Sequence, residues 1–399
     1  MRTEVKASAP LLHIRSISAS TIVMLSACLL LLRCIRRLSN PGLFAEDGQT
    51  FLAEQHNLGI AALLRPCEGY LLLIPRIVAA LLSPLPVSAA PIFYAGMALL
   101  LHLAFLAPAL STRLDWLIPG VRLRALLFAA LCLMLPLGEV AANITNLIWI
   151  VGVSILLLML SDDPSSRLGR IAELFALPVM GLSGLIIVFV APWFGWRCWR
   201  TRSVHSFAMC LFAMASALAQ GVILLLSQRE TSGGNILYLP AVWARVGATW
   251  MFGYSPVLVS PWRIAFYVLS FAWCIGAVVI TVAALRRTAG LLWLLQFALL
   301  APPAFIYGAM PSPYFMQRIF VVPTAIVIVL IVATIGTGFY LPVARLWLIL
   351  GVGGMVINFL PPPYLYRPDL SQLQRCVDER QPVCRQAIYD GTWWVELRQ

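Results

Sequence analysis

The chain has 399 residues, of which 61% are hydrophobic and 11% charged, and its mean hydropathy is +0.89. Water-soluble domains carry about a quarter charged residues, so a soluble enzyme of this size is excluded, as are a disordered chain and collagen-like repeats. The net charge is +12 and Lys6 is the only lysine among 28 basic residues; arginines scattered through the loops form no continuous basic stripe, which argues against nucleic acid as a partner.

Repeated apolar runs of about 16 to 24 residues predict an all-α, polytopic membrane protein. One helical bundle spans residues 1–360, and a small polar tail follows over 361–399. The runs are solidly apolar rather than alternating, which argues against a β-barrel.

Arg2, Lys6 and Arg15 precede a first span at Ile17–Leu32, and Arg33, Arg36 and Arg37 follow it without a small-residue cleavage site, so a retained anchor is expected. A long polar and amphipathic loop covers residues 36–86. Within it, Tyr70–Leu82 is apolar but only thirteen residues long, or about 20 Å as a helix, too short for a hydrocarbon core of about 30 Å. It is expected to lie at the interface or enter partway, which puts the arginine-bearing loop Arg113–Arg124 on the same side as the N-terminus.

Further spans are predicted at 87–110, 123–138 and 146–160. The segment 171–197 is interrupted at Gly181-Leu182-Ser183-Gly184 and is expected to be two short helices meeting near the outer face. Spans at 204–227, 263–285, 290–308, 319–337 and 345–360 complete about eleven crossings, with a cytoplasmic N-terminus and an external C-terminus. Short arginine-bearing loops set this orientation. The loops 36–86 and 227–262 and the tail then face outward together. In that oxidising compartment Cys376 and Cys384 are expected to pair as a disulfide, two free thiols being the alternative.

The segment richest in chemistry is Asn40-Pro41-Gly42-Leu43-Phe44-Ala45-Glu46-Asp47-Gly48. Two adjacent carboxylates at a membrane interface suit a general base, because partial removal from water raises a carboxylate pKa toward neutrality; a helix cap is the bland alternative. Pro66-Cys67-Glu68-Gly69-Tyr70 leads to Arg76 near the same face, and the next outward turn supplies Glu139, Asn143 and Asn146. Asn143-Ile144-Thr145 also matches a glycosylation sequon, a weak three-residue pattern beside a span.

Together, Phe44-Ala45-Glu46-Asp47-Gly48, the run Gly69–Arg76, Asn143-Ile144-Thr145-Asn146-Leu147-Ile148-Trp149 and Gly181-Leu182-Ser183-Gly184 resemble an uncharacterised bacterial branch of the GT-C class of membrane glycosyltransferases. The resemblance covers about the first half of the chain. It implies a GT-C-like bundle acting on the periplasmic side of a bacterial inner membrane, a polyprenyl-phosphate-linked sugar as donor, a glycan or lipid-linked acceptor, and Asp47 first, with Glu46 beside it, as the catalytic acidic residue that takes the acceptor's proton. Glu139 matches the second-loop acid, without the Asp-containing motif often found there; a divalent cation is left open as a cofactor. Many members carry a lysine at the helix break, where this chain has Leu182-Ser183-Gly184.

Transfer from such a donor leaves negative charge on phosphate, which arginine's forked donors suit. Arg318 is the first candidate, because it enters an apolar run where a charge needs a partner, an interfacial anchor reaching the headgroups being the alternative; Arg76, Arg245 and Arg263 follow. Glu68, Tyr70, Glu139, Asn143 and Asn146 are candidate substrate contacts. Tyr238, Trp243, Trp250, Tyr254, Trp393 and Trp394 fit either sugar stacking or an interfacial aromatic belt. His13, His56, His102 and His205 show no metal-ligand spacing. A polysaccharide polymerase and a flippase of lipid-linked sugars are the alternative functions.

Overall fold

A computed structural model describes residues 17–134, 137, 139–227, 235–252, 261–307, 317–357, 359–360 and 368–399. The residues expected to lead into the first span, with His13, Tyr254 and most of the segment before Arg318, lie outside the described residues, as does the Arg263 side chain.

The chain is mostly helical. In chain order the helices are α1 (Ala19–Arg33), α2 (Ile35–Ser39), α3 (Ala53–Leu58), α4 (Leu73–Leu82), α5 (Ala90–Leu106), α6 (Val121–Leu133), α7 (Leu147–Leu160), α8 (Arg167–Gly181), α9 (Ile186–Thr201) and α10 (Val204–Leu226). Then come α11 (Leu239–Phe252), α12 (Arg263–Leu285), α13 (Arg287–Tyr307), α14 (Val321–Thr337), α15 (Leu341–Ile357) and α16 (Ser371–Asp378). Among the described residues, five helical stretches are long and apolar enough to cross a membrane: Val87–Leu110, Val204–Leu226, Ile264–Leu285, Arg287–Ile306 and Gln317–Thr337. The expected eleven crossings are not reproduced as eleven full-length helices, because several of the apolar helices are short; α1 has 15 residues and α7 has 14.

The core explains why a short helix suffices at α7. Every residue of α7 but Trp149 is buried, and so is α14 from Val321 to Thr334. A helix apolar on all sides belongs at the centre of a bundle, where its ends meet protein and need not match the bilayer. Around these two pack α5, α6, α9, α12, α13 and α15.

The interrupted segment forms as predicted, with α8 ending at Gly181 and α9 starting at Ile186. Gly184 adopts φ 151°, a backbone state that favours glycine. The break receives the short helix α4: Leu73 N donates to Leu182 O at 3.1 Å and Ile74 N to Ser183 Oγ at 2.9 Å. Gln220 of α10 completes the dock, accepting from Leu71 N at 2.9 Å and donating to Leu71 O at 3.1 Å. The free N–H groups at a helix start need such acceptors. At ten residues, α4 does not cross on its own.

Two features depart from expectation. The stretch 227–262 is not an open loop throughout: α11 lies within it, and its residues from Val242 to Trp250 are buried. Trp243 donates to Gln296 Oε1 at 3.0 Å and Trp250 to Trp347 O at 3.1 Å, so both are packed core residues and not an exposed aromatic platform. The all-α expectation also fails in the tail, where β1 (Val383–Ile388) pairs antiparallel with β2 (Trp393–Arg398), Val383 opposite Arg398 and Ile388 opposite Trp393. Alternation accounts for it, since Cys384, Ile388, Val395 and Leu397 are buried while Val383, Arg385, Trp394 and Arg398 are exposed. Cys376 and Cys384 form the disulfide, tying α16 to β1.

Candidate functional site

The first loop enters the site through a π-helical turn over Asp47–Leu52. Its first residue is buried, and Asp47 Oδ1 accepts from Thr145 N at 2.9 Å and Thr145 Oγ1 at 2.5 Å. Burial pushes the Asp47 carboxyl up to about 7, outweighing the Thr145 hydrogen bonds that favour the charged form. Glu46 is half-buried, and its Oε2 makes no hydrogen bond among the described residues. Burial raises its pKa too, opposed by the Arg318 guanidinium and reinforced by the Glu68 carboxylate.

The facing wall is the turn between α6 and α7. Asn143 Nδ2 donates to Glu139 O at 2.6 Å, Asn146 N to Asn143 Oδ1 at 2.8 Å, and Asn146 Nδ2 to Glu139 O at 3.2 Å. The two amides expected to hold substrate therefore fold the turn, and both are buried. Asn146 Oδ1 also accepts from Arg318 Nη1 at 3.4 Å, and Glu139 Oε2 from Arg318 N at 3.4 Å. Arg318 sits on the 3-10 turn Gln317–Phe320, which delivers it to the mouth of α14.

Two arginines, Arg33 at the end of α1 and Arg37 in α2, anchor this turn. Arg33 Nη1 donates to Met134 O at 2.8 Å and Leu133 O at 3.3 Å, and Arg37 Nη1 donates to Ala141 O. Both are buried. Arg33 satisfies carbonyls that the end of α6 leaves without helical partners, and Arg37 a carbonyl of the turn that follows.

The remaining candidates take up other places. Arg76 is buried, its Nη1 2.9 Å from Glu54 Oε2 and its guanidinium 5.6 Å from the Phe51 ring centre. Arg245 is buried in α11 with its guanidinium 5.3 Å from the Phe320 ring. Cys67 and Tyr70 pair backbone to backbone, so that Glu68, at φ 52°, lies on the tip of a tight turn. His56 is exposed on α3, while His205 pairs with Glu173 far from this site. Among the described residues, no group of three or more His, Cys, Asp or Glu side chains is placed to hold a metal ion.

The structure brings together Glu46, Asp47, Glu68, Glu139, Asn143, Asn146 and Arg318. Three further contributors are not among the site candidates that the sequence offers. Thr145, noticed there only within a sequon, is the hydrogen-bond partner of Asp47. Arg37 was noticed only as a flanking charge. Tyr389 comes from the tail: its ring meets Phe44 edge-on at 4.8 Å, and its phenol interacts electrostatically with Glu139, Arg37 and Glu46. Nothing local marks it, because more than 300 residues separate it from Glu46.

Comparison with protein-family models, with curated proteins and with solved structures finds no match for this chain.

Proposed function

We propose that this protein is a membrane glycosyltransferase that moves a sugar from a polyprenyl-phosphate carrier to a glycan or lipid-linked acceptor on the periplasmic side of the inner membrane. One observation carries the reading: the carboxylates of Glu46 and Asp47 are adjacent and both withdrawn from water, and Glu46 lies within electrostatic range of Arg318, an arginine brought from a distant part of the chain. A proton acceptor next to a fixed positive charge is what transfer from a phosphate-linked donor requires. The apolar helices are compatible with a lipid-borne donor.

In the proposed reaction the acceptor hydroxyl gives its proton to Glu46 while its oxygen bonds to the anomeric carbon. The bond from that carbon to the phosphate oxygen breaks, and the electron pair leaves on polyprenyl phosphate, whose charge Arg318 stabilises. Glu46 has the oxygen without a hydrogen-bond partner, whereas Asp47 is buried and bonded to Thr145. This exchanges the order suggested by sequence, in which Asp47 is the first candidate: Asp47 becomes the residue that positions the Glu139–Asn146 turn. Arg76 and Arg245 are engaged within the fold, by Glu54 and the Phe320 ring respectively.

The test is transfer by the purified protein, given radiolabelled polyprenyl-phosphate sugars and a set of acceptors. Glu46→Gln is expected to lower turnover by at least about a hundredfold, with the protein still folded, and to abolish the loss of activity that the wild type shows as pH falls through the raised Glu46 pKa. Asp47→Asn is expected to lower turnover but keep that acidic limb. Near-normal transfer by both variants rejects the assignment.

A further inference from the structure

The C-terminal hairpin is seated directly on the turn that carries the two acids. A Cβ built on Gly48 would lie 2.3 Å from Ile388 Cδ1 and 2.8 Å from Val395 Cγ2, so any larger residue would have to displace these hairpin side chains. Asn57 clamps the outer strand, donating to Glu396 O at 2.9 Å and accepting from Arg398 N at 2.8 Å. The disulfide holds the other strand to α16.

What the hairpin delivers is its four-residue turn, Tyr389-Asp390-Gly391-Thr392. Tyr389 adopts φ 63°, unusual for a bulky residue. Asp390 Oδ1 fixes the turn by accepting from Thr392 N at 2.9 Å and Thr392 Oγ1 at 2.6 Å. The Tyr389 side chain is half-buried, lies edge-on to Phe44 at 4.8 Å, and has the carboxylates of Glu139 and Glu46 within electrostatic range. Trp393 packs on the same small cluster of Phe44 and Ala45. Burial first, and Glu139 after it, push the Tyr389 phenol above its ordinary value, so the ring carries a neutral hydroxyl under all physiological conditions.

We propose that this hairpin completes the site and that Tyr389, with Trp393 beside it, is the surface against which a sugar ring of a carbohydrate acceptor rests. The inference rests on the glycosyl-transfer reading and narrows it: the acceptor is a glycoside, not a simple lipid alcohol. Aromatic rings offer the apolar face that a sugar's C–H groups need, and the neighbouring carboxylates accept hydrogen bonds from its hydroxyls. A lipid alcohol has no use for that combination.

Equilibrium binding of 4-nitrophenyl hexopyranosides and of n-decanol to the purified full chain tests it, with donor turnover measured separately. Tyr389→Gly suits the positive φ of the turn and keeps the hairpin folded; Tyr389→Phe keeps the ring. The wild type is expected to bind a glycoside better than decanol. Tyr389→Gly should weaken glycoside binding several-fold, up to about tenfold, and raise the glycoside KM in transfer by the same factor. Tyr389→Phe should stay near wild type. Unchanged glycoside binding in a folded Tyr389→Gly protein overturns the proposal, as does decanol bound as well as the glycosides. Glycoside binding that depends on Tyr389 without any donor consumption would retain the surface and reject glycosyl transfer.

Discussion

Two adjacent carboxylates end in different surroundings, and that difference can be read out by pH. The fold holds Asp47 at about 7 against an ordinary 3.8, chiefly by burial, so the folded state binds its proton more tightly than the unfolded chain does. The resulting stabilisation is fully present below about pH 4 and is lost as pH rises through about 7. Asp47→Asn mimics the protonated form at every pH and retains an oxygen for Thr145. Its thermal unfolding in detergent should therefore exceed the wild type's by a margin that opens between about pH 4 and pH 8, reaching as much as a few kcal/mol; parallel curves would contradict the burial. The two acids were legible in the sequence because charge is scarce beside an apolar run. Thr145 was not, being 98 residues away, and neither was the structural use of Asn143 and Asn146. A sequence displays which polar groups exist, but only the folded turn decides whether their hydrogen bonds are already made.

Segments differed in how much of their geometry could be read in advance. The break between α8 and α9 and the short run of α4 followed from length and glycine placement, which act locally. The docking of one on the other did not, because it is made by Gln220 and Ser183 over separations of 149 and 109 residues. The hairpin was missed since six-residue strands give a weak alternating signal inside a short polar tail, although the disulfide at its base was expected. Its seat makes a clear prediction. Gly48→Val puts a branched side chain where Ile388 and Val395 already stand, at a cost of about 1 to 3 kcal/mol for overpacking, and should lift the hairpin from the first loop. Faster reduction of the Cys376–Cys384 bond by a mild thiol and earlier cleavage of the tail by protease would register the release. Equal rates in the variant and the parent would mean that the hairpin is held elsewhere.

The two ends of the bundle carry different kinds of charge, and this bears on how it sits in a membrane. At the end of α7 remote from Asn146, Arg197 pairs with Asp163 at 3.0 Å and Arg200 with Asp162 at 3.1 Å, while Glu173 meets His205 at 3.0 Å and also pairs with Arg113. These arginines are internally neutralised and say little about orientation. The exposed arginines at that end, Arg122, Arg167, Arg170, Arg202, Arg286, Arg287 and Arg345, remain to act on the bilayer. At the other end Arg33, Arg37, Arg76 and Arg245 are buried within the fold, and the exposed arginines, Arg36, Arg65, Arg375, Arg380, Arg385 and Arg398, belong to the long first loop and the tail, whose charge sets orientation less than that of short loops. Counting every basic residue in the sequence gave an even division between the two sides, whereas burial separates the charges that can act as anchors from those that hold the protein together. The asymmetry favours a cytoplasmic location for the arginine-rich end and a periplasmic one for Glu46. Cysteines introduced singly at the exposed positions Gln49 and Ser165 should then react oppositely in intact cells: Gln49→Cys with a membrane-impermeant maleimide, Ser165→Cys only after the membrane is opened. The reverse pattern would place the acid pair in the cytosol and remove the ground for a periplasmic transferase, because the lipid-borne donor and the proton acceptor would lie on opposite faces.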